Sequence, residues 1–441
     1  MHLRRNILGF LGTALAMPMA DRAFAASKSP ALRGALDASG VAKNGLQAMI
    51  DESVRSNTPL YLPAGIYQAA NLVLPDNCRI SGVPGASRIL HRGSLNSADD
   101  ARRIELSGIV IESNGGMADE ENGGLVQLTG IDDLQIDNCE IRGSSKHGLR
   151  LERCGGRIER SRLSGAAQAG IFAVNSTGLS ITGNTVTECG NGGILVHRWE
   201  KGEDGTVISG NRVTRIRADD GGTGQNGNGI NIFRAGGVII ANNHISDCAF
   251  TAVRANSGDN VQINGNQCLR SGETAIYVEF DFQGAVVSSN LVDGAANGIS
   301  IANFNEGGRL AAVSGNIVRN LTLDGPYKHE VGFGTGIAAE ADTVISGNII
   351  EGAPLWAMQL GWGPYLRNLA VTGNVVRKSA IGCAVSVADG AGTAVITGNV
   401  FQEMSDGAIF GFEWDKRVSG DLTKAGSESY PQLTIEQNRT G

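Results

Sequence analysis

Asn231, Arg254, Tyr277 and Ser300 stand 23 residues apart, and Phe233, Asn256 and Glu279 repeat that interval two positions later, with His197 ahead of them. A guanidinium, amides, a phenol and a carboxylate on one regular lattice suit a polyhydroxylated ligand. Amides bond hydroxyls, aromatic rings cover sugar faces, and ionisable groups move protons. Arg254 would bind or acidify a carboxylate, Tyr277 or His197 would transfer a proton, and Glu279 would act as an orienting base. Asn231, Phe233, Asn256, Asp281 and Trp199 complete the candidate binding set. The competing assignment for Arg254 and Glu279 is a solvated cross-strand ion pair, worth roughly 0.2–1 kcal/mol. Asp219 and Asp220 could offer oxygen ligands to Ca²⁺. Their spacing lacks an EF-hand pattern and reads as a solvated turn, so no metal and no cofactor is expected.

The lattice comes from an internal repeat. The motif apolar-x-Gly-Asn-x-apolar recurs as ITGNTV, VISGNRV, VQINGNQC, AVSGNIV, VISGNII, AVTGNVV and VITGNVF. Its key position is expected at Asn138, Ser161, Asn184, Asn211, Asn243, Asn266, Asn290, Asn316, Asn348, Asn374 and Asn399. Between copies lies a second motif, small-apolar-x-apolar, as in GILV, GINI, AIYV and GISI. Two period-2 strand signals in 23 to 27 residues leave no room for a helix between them. Each repeat is therefore one coil of a strand solenoid, stacked on the next at about 4.8 Å. Inward Ile and Val form apolar columns, and the Asn forms a ladder of amides, which is scaffold. In the second motif the outward columns run through Arg254, Tyr277 and Ser300, and through Asn256, Glu279, Ala302 and Glu340.

Two repeats are 32 residues long, their extra residues falling at 217–228 and 321–335 before the second strand. The loops 197–206 and 302–310 are lengthened on the opposite edge. Four loops would wall a trough floored by Arg254, Tyr277 and Glu279, and function on repeat scaffolds collects at such insertions.

The ends of the solenoid need blocking. Residues 44–56 place Leu46, Met49, Ile50 and Ser53/Val54 on one helical face, a short lid for the N-terminal end. The expected organisation is an export signal at 1–25, a cap helix and first strands at 26–90, repeats at 91–414, and a C-terminal cap at 415–441. That makes an all-β, right-handed parallel β-helix of about 11–13 coils.

The short helix, then LYLPAGIY (60–67), then coils of GN and GI repeats, resemble the right-handed parallel β-helix of the pectin-lyase-like superfamily. With Arg4-Arg5, a short apolar stretch and Ala23-Phe24-Ala25, the chain most resembles an uncharacterised family of twin-arginine-translocated β-helix repeat proteins. The resemblance implies the fold over the whole mature chain, and a superfamily of polysaccharide lyases, hydrolases, epimerases and non-catalytic members. Asn-Thr-Asp, Gly-His-Gly, Arg-Ile-Lys and Asp-Pro-His-Asp signatures are all missing, so no catalytic set carries over.

The net charge is −7, and loss of three basic and one acidic residue with the leader takes it to −9. Mild acidity argues against nucleic acid and anionic membrane as partners. The mature chain is expected to be periplasmic or secreted, without a membrane anchor, and monomeric. Its seven cysteines fall mostly on inward columns whole coils apart, so free thiols are expected, with Cys268 in the core. Two functions remain: a carbohydrate-active enzyme, such as a lyase on uronate-containing glycan, or a non-catalytic glycan-binding or structural envelope protein.

Overall fold

The structure, a computed structural model, describes residues 34–41, 45–115 and 123–441. The leader assigned to 1–25 lies outside the described residues. The described residues form a right-handed parallel β-helix of about 15 turns. The additional turns are N-terminal coils such as Leu60–Leu62 and Cys78–Gly82, which pair in parallel but carry no Gly-Asn motif.

Each coil contributes three strands, where the repeat pattern suggested two. The Gly-Asn motif is itself two short strands about a sharp corner: Val207–Ser209 and Arg212–Ile216 flank Gly210-Asn211. We call these the first and second faces. The small-apolar motif supplies the third, as in Asn228–Gly236, Val253–Asn256 and Ile337–Ala339. Gln267–Glu279 and Leu291–Ile301 run without a break from the second face onto the third.

The inward column of the third face, Ile194, Ile230, Val253, Ile276, Ile299 and Ile337, is in continuous parallel register and at most 1% exposed. Full burial of each such side chain is worth about 1.5–3 kcal/mol. Glycine opens these strands where coils meet most closely. A Cβ at Gly298 would lie 2.3 Å from the carbonyl oxygen of Gly336.

The asparagine ladder forms as expected. Asn243 donates its backbone N–H and its Nδ2 to Asn266 Oδ1, both at 3.0 Å. Its Nδ2 also donates to the Ile208 carbonyl at 3.0 Å. The arrangement repeats from Asn184 to Asn399 and ends on Asn438. One coil departs from the expected position. Asn138 is exposed, with φ of 51°, and takes the corner that glycine fills elsewhere. Cys139 stands in the ladder and donates its N–H to Ser161 Oγ. The sequence DNC had placed the ladder one residue early, because asparagine tolerates the left-handed corner almost as readily as it makes the amide column.

Helix α1, Leu46–Arg55, buries Leu46, Ile50 and Ser53 against the first coils and covers the N-terminal end. At the other end, Lys416–Asp421 folds back antiparallel on Gly407–Glu413. All seven cysteines are buried and free. No helix among the described residues is long and apolar enough to cross a membrane.

Candidate functional site

The register of the third face sets Asn231 beside Arg254, Arg254 beside Tyr277 and Tyr277 beside Ser300, with Phe233, Asn256 and Glu279 in the next column. These positions face outward, yet the long loops bury several of them. Glu279 is 2% exposed, and the Arg254 side chain 13%. Arg254 donates through Nε and Nη2 to both carboxylate oxygens of Glu279, at 2.6 and 2.9 Å, and through Nη1 to the Gly224 carbonyl at 2.7 Å. Asn256 Nδ2 donates to Glu279 Oε1 at 3.1 Å. The pair is thus buried and bidentate, not the solvated surface pair that spacing alone allowed. Glycine at 224 makes this possible, since a Cβ there would sit 1.9 Å from Arg254 Nη1.

A carboxylate that the sequence reading passed over completes this network. Glu273, 2% exposed, accepts from Thr251 Oγ1 at 3.0 Å and from the Tyr327 hydroxyl at 2.6 Å, with Arg254 Nη1 at 3.8 Å. Gly224 belongs to the 217–228 loop and Tyr327 to the 321–335 loop. Arg254, Glu273 and Glu279 therefore tie both long walls to the floor, and three nitrogens of Arg254 are engaged in doing so.

The open space lies beyond that anchor, toward the C-terminal coils. A cavity of about 550 Å³ is floored by Tyr277, Ser300, Ala338 and Gln359. Residues 327–333 line one side, and Asn303, Glu340 and Trp362 the other. Among the described residues nothing hydrogen-bonds the Tyr277 hydroxyl. Burial and the nearby Glu279 push that phenol up, so it stays protonated. The Arg254 guanidinium lies 5.1 Å from the centre of its ring.

Glu340 is the carboxyl of this cavity that is brought to near neutrality. Burial raises its carboxyl to about 7, although its Oε2 accepts the Phe304 N–H at 2.6 Å. A carboxyl half protonated near neutral pH is poised to give or take a proton. Its signal was present, since it lies in the outward column of Glu279. The 32-residue repeat preceding it hid how near Tyr277 the fold would bring it.

The other expected site residues lie outside this cavity. His197 sits between Phe172 and Phe233, at 5.2 and 5.6 Å between ring centres, and its Nε2 is buried without a partner. Burial lowers it to about 4, so the ring is neutral at pH 7. Asn231 is 8% exposed, with its Oδ1 unpaired. Lys201 Nζ lies 3.2 Å from the Asp281 carboxylate and 2.9 Å from that of Asp259, and Trp199 is 53% exposed. No group of three or more potential metal-ligating side chains occurs among the described residues.

The sequence pattern of the right handed beta helix region matches residues 64–213 and 199–307, together more than half of the chain. The chain belongs to that right-handed β-helix family. No curated protein matches it in sequence. Among solved structures it is similar to the pre-mature gene product 12 of bacteriophage phi29, at 13% identity over 84% of this chain and 68% of that one, with a TM-score of 0.52. It also aligns with the catalytic unit of a GH87 alpha-1,3-glucanase from Streptomyces thermodiastaticus (16% identity, 95% and 70% coverage, TM-score 0.46). A third alignment is with DFA-IIIase from Arthrobacter chlorophenolicus (14%, 92% and 98%, 0.42). At such identities the likeness is one of fold.

Proposed function

We propose that this β-helix protein is exported, binds an oligosaccharide in the cavity over the third face, and cleaves it with Glu340 as proton donor. The observation that carries the reading is Glu340 itself. It is a carboxyl raised to about 7 that lines a cavity shared with the Tyr277 phenol, the Gln359 amide and the Trp362 ring. Glu340 would hand its proton to the departing glycosidic oxygen as the C–O bond breaks. That step is common to hydrolysis, in which water adds to the anomeric carbon, and to elimination, in which a ring proton is lost instead. Tyr277, held protonated, donates a hydrogen bond to the sugar. Arg254 and Glu279 act as positioning residues that hold the walls, while His197, Asn231, Phe233 and Trp199 extend the face toward the N-terminal coils. The basic, apolar and Ala-x-Ala features of residues 1–25 support export.

The test compares wild type with Glu340→Gln on a panel of polysaccharides, measuring reducing ends and unsaturated-product absorbance. Loss of a general acid lowers turnover about 10²–10⁴-fold while binding persists. Full turnover by the variant places the acid elsewhere. Binding without any turnover by wild type makes the protein a non-catalytic glycan binder.

A further inference from the structure

The cavity over Tyr277 does not end at Gln359. A second cavity, of about 330 Å³, lies over the following coils, floored by Trp356, Ile381 and Phe412 and edged by Asp406 and Asp415. Glu330, Val331, Leu355 and Trp356 line both spaces. They are therefore two chambers of one track along the third face. The register from Tyr277 through Ser300, Ala338, Gln359 and Ala384 to Phe410 makes five coil steps, roughly 24 Å at the inter-strand spacing. Aromatic groups recur along it: Tyr277 and Trp362 in the first chamber, Trp356 and Phe412 in the second.

The charge of the track is as informative as its length. Its linings carry the carboxyls of Glu273, Glu330, Glu340, Asp406 and Asp415 against two permanent cations, Lys328 and Arg417. Arg417 lies 4.9 Å from the ring centre of Phe410, and Arg254 is closed off by Glu279 and Gly224. A row of uronate carboxylates laid here would meet these five carboxyls against only Lys328 and Arg417, and like-charge juxtaposition is how binding sites reject wrong partners.

We infer that the two chambers hold one ligand, an uncharged oligosaccharide that lies along the solenoid axis and is longer than the first chamber can fill. This rests on the glycan reading above and adds chain length and charge class to it.

The probes are gluco-, manno- and xylo-oligosaccharides of three and six units, together with hexagalacturonate, titrated calorimetrically into the full chain carrying Glu340→Gln. The expected result is a neutral hexasaccharide that binds at least tenfold tighter than its trisaccharide and than hexagalacturonate. Phe412→Ala should abolish the gain from trimer to hexamer and leave the trimer unchanged. Should Phe412→Ala disturb folding, Asp406→Arg, on an exposed residue, should raise hexagalacturonate affinity at least threefold without altering the trimer. Equal binding of trimer and hexamer, or insensitivity to both variants, overturns the two-chamber ligand while leaving the glycan reading intact. Preference for hexagalacturonate overturns the charge assignment. Failure of every saccharide, trimers included, overturns this inference and the glycan reading together.

Discussion

Removing the Arg254 guanidinium should unfasten the middle of the solenoid. Glu279 is 2% exposed and depends on Arg254 for two of its hydrogen bonds, so Arg254→Ala leaves a carboxylate buried without its counter-charge. Breaking one side of a buried, hydrogen-bonded pair costs about 3–5 kcal/mol. Replacing both sides by apolar groups of similar shape is close to neutral. Arg254→Met combined with Glu279→Leu should therefore recover most of what Arg254→Ala loses. Because a solenoid opens coil by coil, amide hydrogen exchange is the appropriate assay. Amides within 228–301 should exchange faster by roughly two to three and a half orders of magnitude in Arg254→Ala, at about 1.4 kcal/mol per decade, while the first coils stay as they were. The 217–228 loop should lose protection too, because the Gly224 carbonyl loses its donor. A change below about 1 kcal/mol in those coils would show that the pair is solvated and that the anchoring argument is wrong.

The pH profile should separate two opposed contributions. His197 and His147, lowered by burial to about 4 and about 3, stay neutral when folded, so the unfolded chain binds more protons below pH 6.5 and stability falls on acidification. Glu340, raised to about 7, works the other way, and its contribution is lost as pH rises from 4.5 through 7. Urea midpoints between pH 4 and 7 should flatten in His197→Phe at the acid end and in Glu340→Gln near neutrality; unchanged slopes in both would refute the assignments. The seven buried thiols, several of them pushed by burial to about 11 or 12, should resist a thiol reagent in the native protein. All seven should react in denaturant without prior reduction, and any shortfall would reveal a disulfide. Asn266→Ala orphans the Asn243 N–H and amide and the Ile240 carbonyl, and should cost about 3 kcal/mol or more. Asn266→Ser should cost less, as Ser161 already serves in the ladder, and equal losses would show that the amide has no special part.

The scaffold was readable because it repeats. The same Ile and Asn recur along most of the solenoid, so column, ladder and free core thiols followed from spacing. The slip at Asn138 arose where one residue type satisfies two backbone demands. The third strand was missed because the short runs on either side of the Gly-Asn corner were read as one strand signal. The site was harder to read, since its decisive contacts come from irregular segments. The carbonyl of Gly224 and the hydroxyl of Tyr327 reach Arg254 and Glu273 across 30 and 54 residues, and no periodicity reports loop conformation. Glu340 was visible as a position but not as a chemical group, because its altered acidity comes from burial beside the 302–310 loop, whose Phe304 N–H it accepts.

The asparagine ladder has a mechanical corollary. Its bonds, and the backbone bonds beside it, point along the solenoid axis, so a pull on the chain ends peels coils from the stack rather than shearing strands past one another. Ladder partners between Asn184 and Asn399 are separated by 23 to 32 residues of chain. Each detachment would release that much slack, roughly 75–115 Å of extended backbone. The protein would thus yield to tension as a row of separate catches, each resetting on the coil beneath it. The catches bridged by Arg254, Glu273 and Glu279 would be the last to let go.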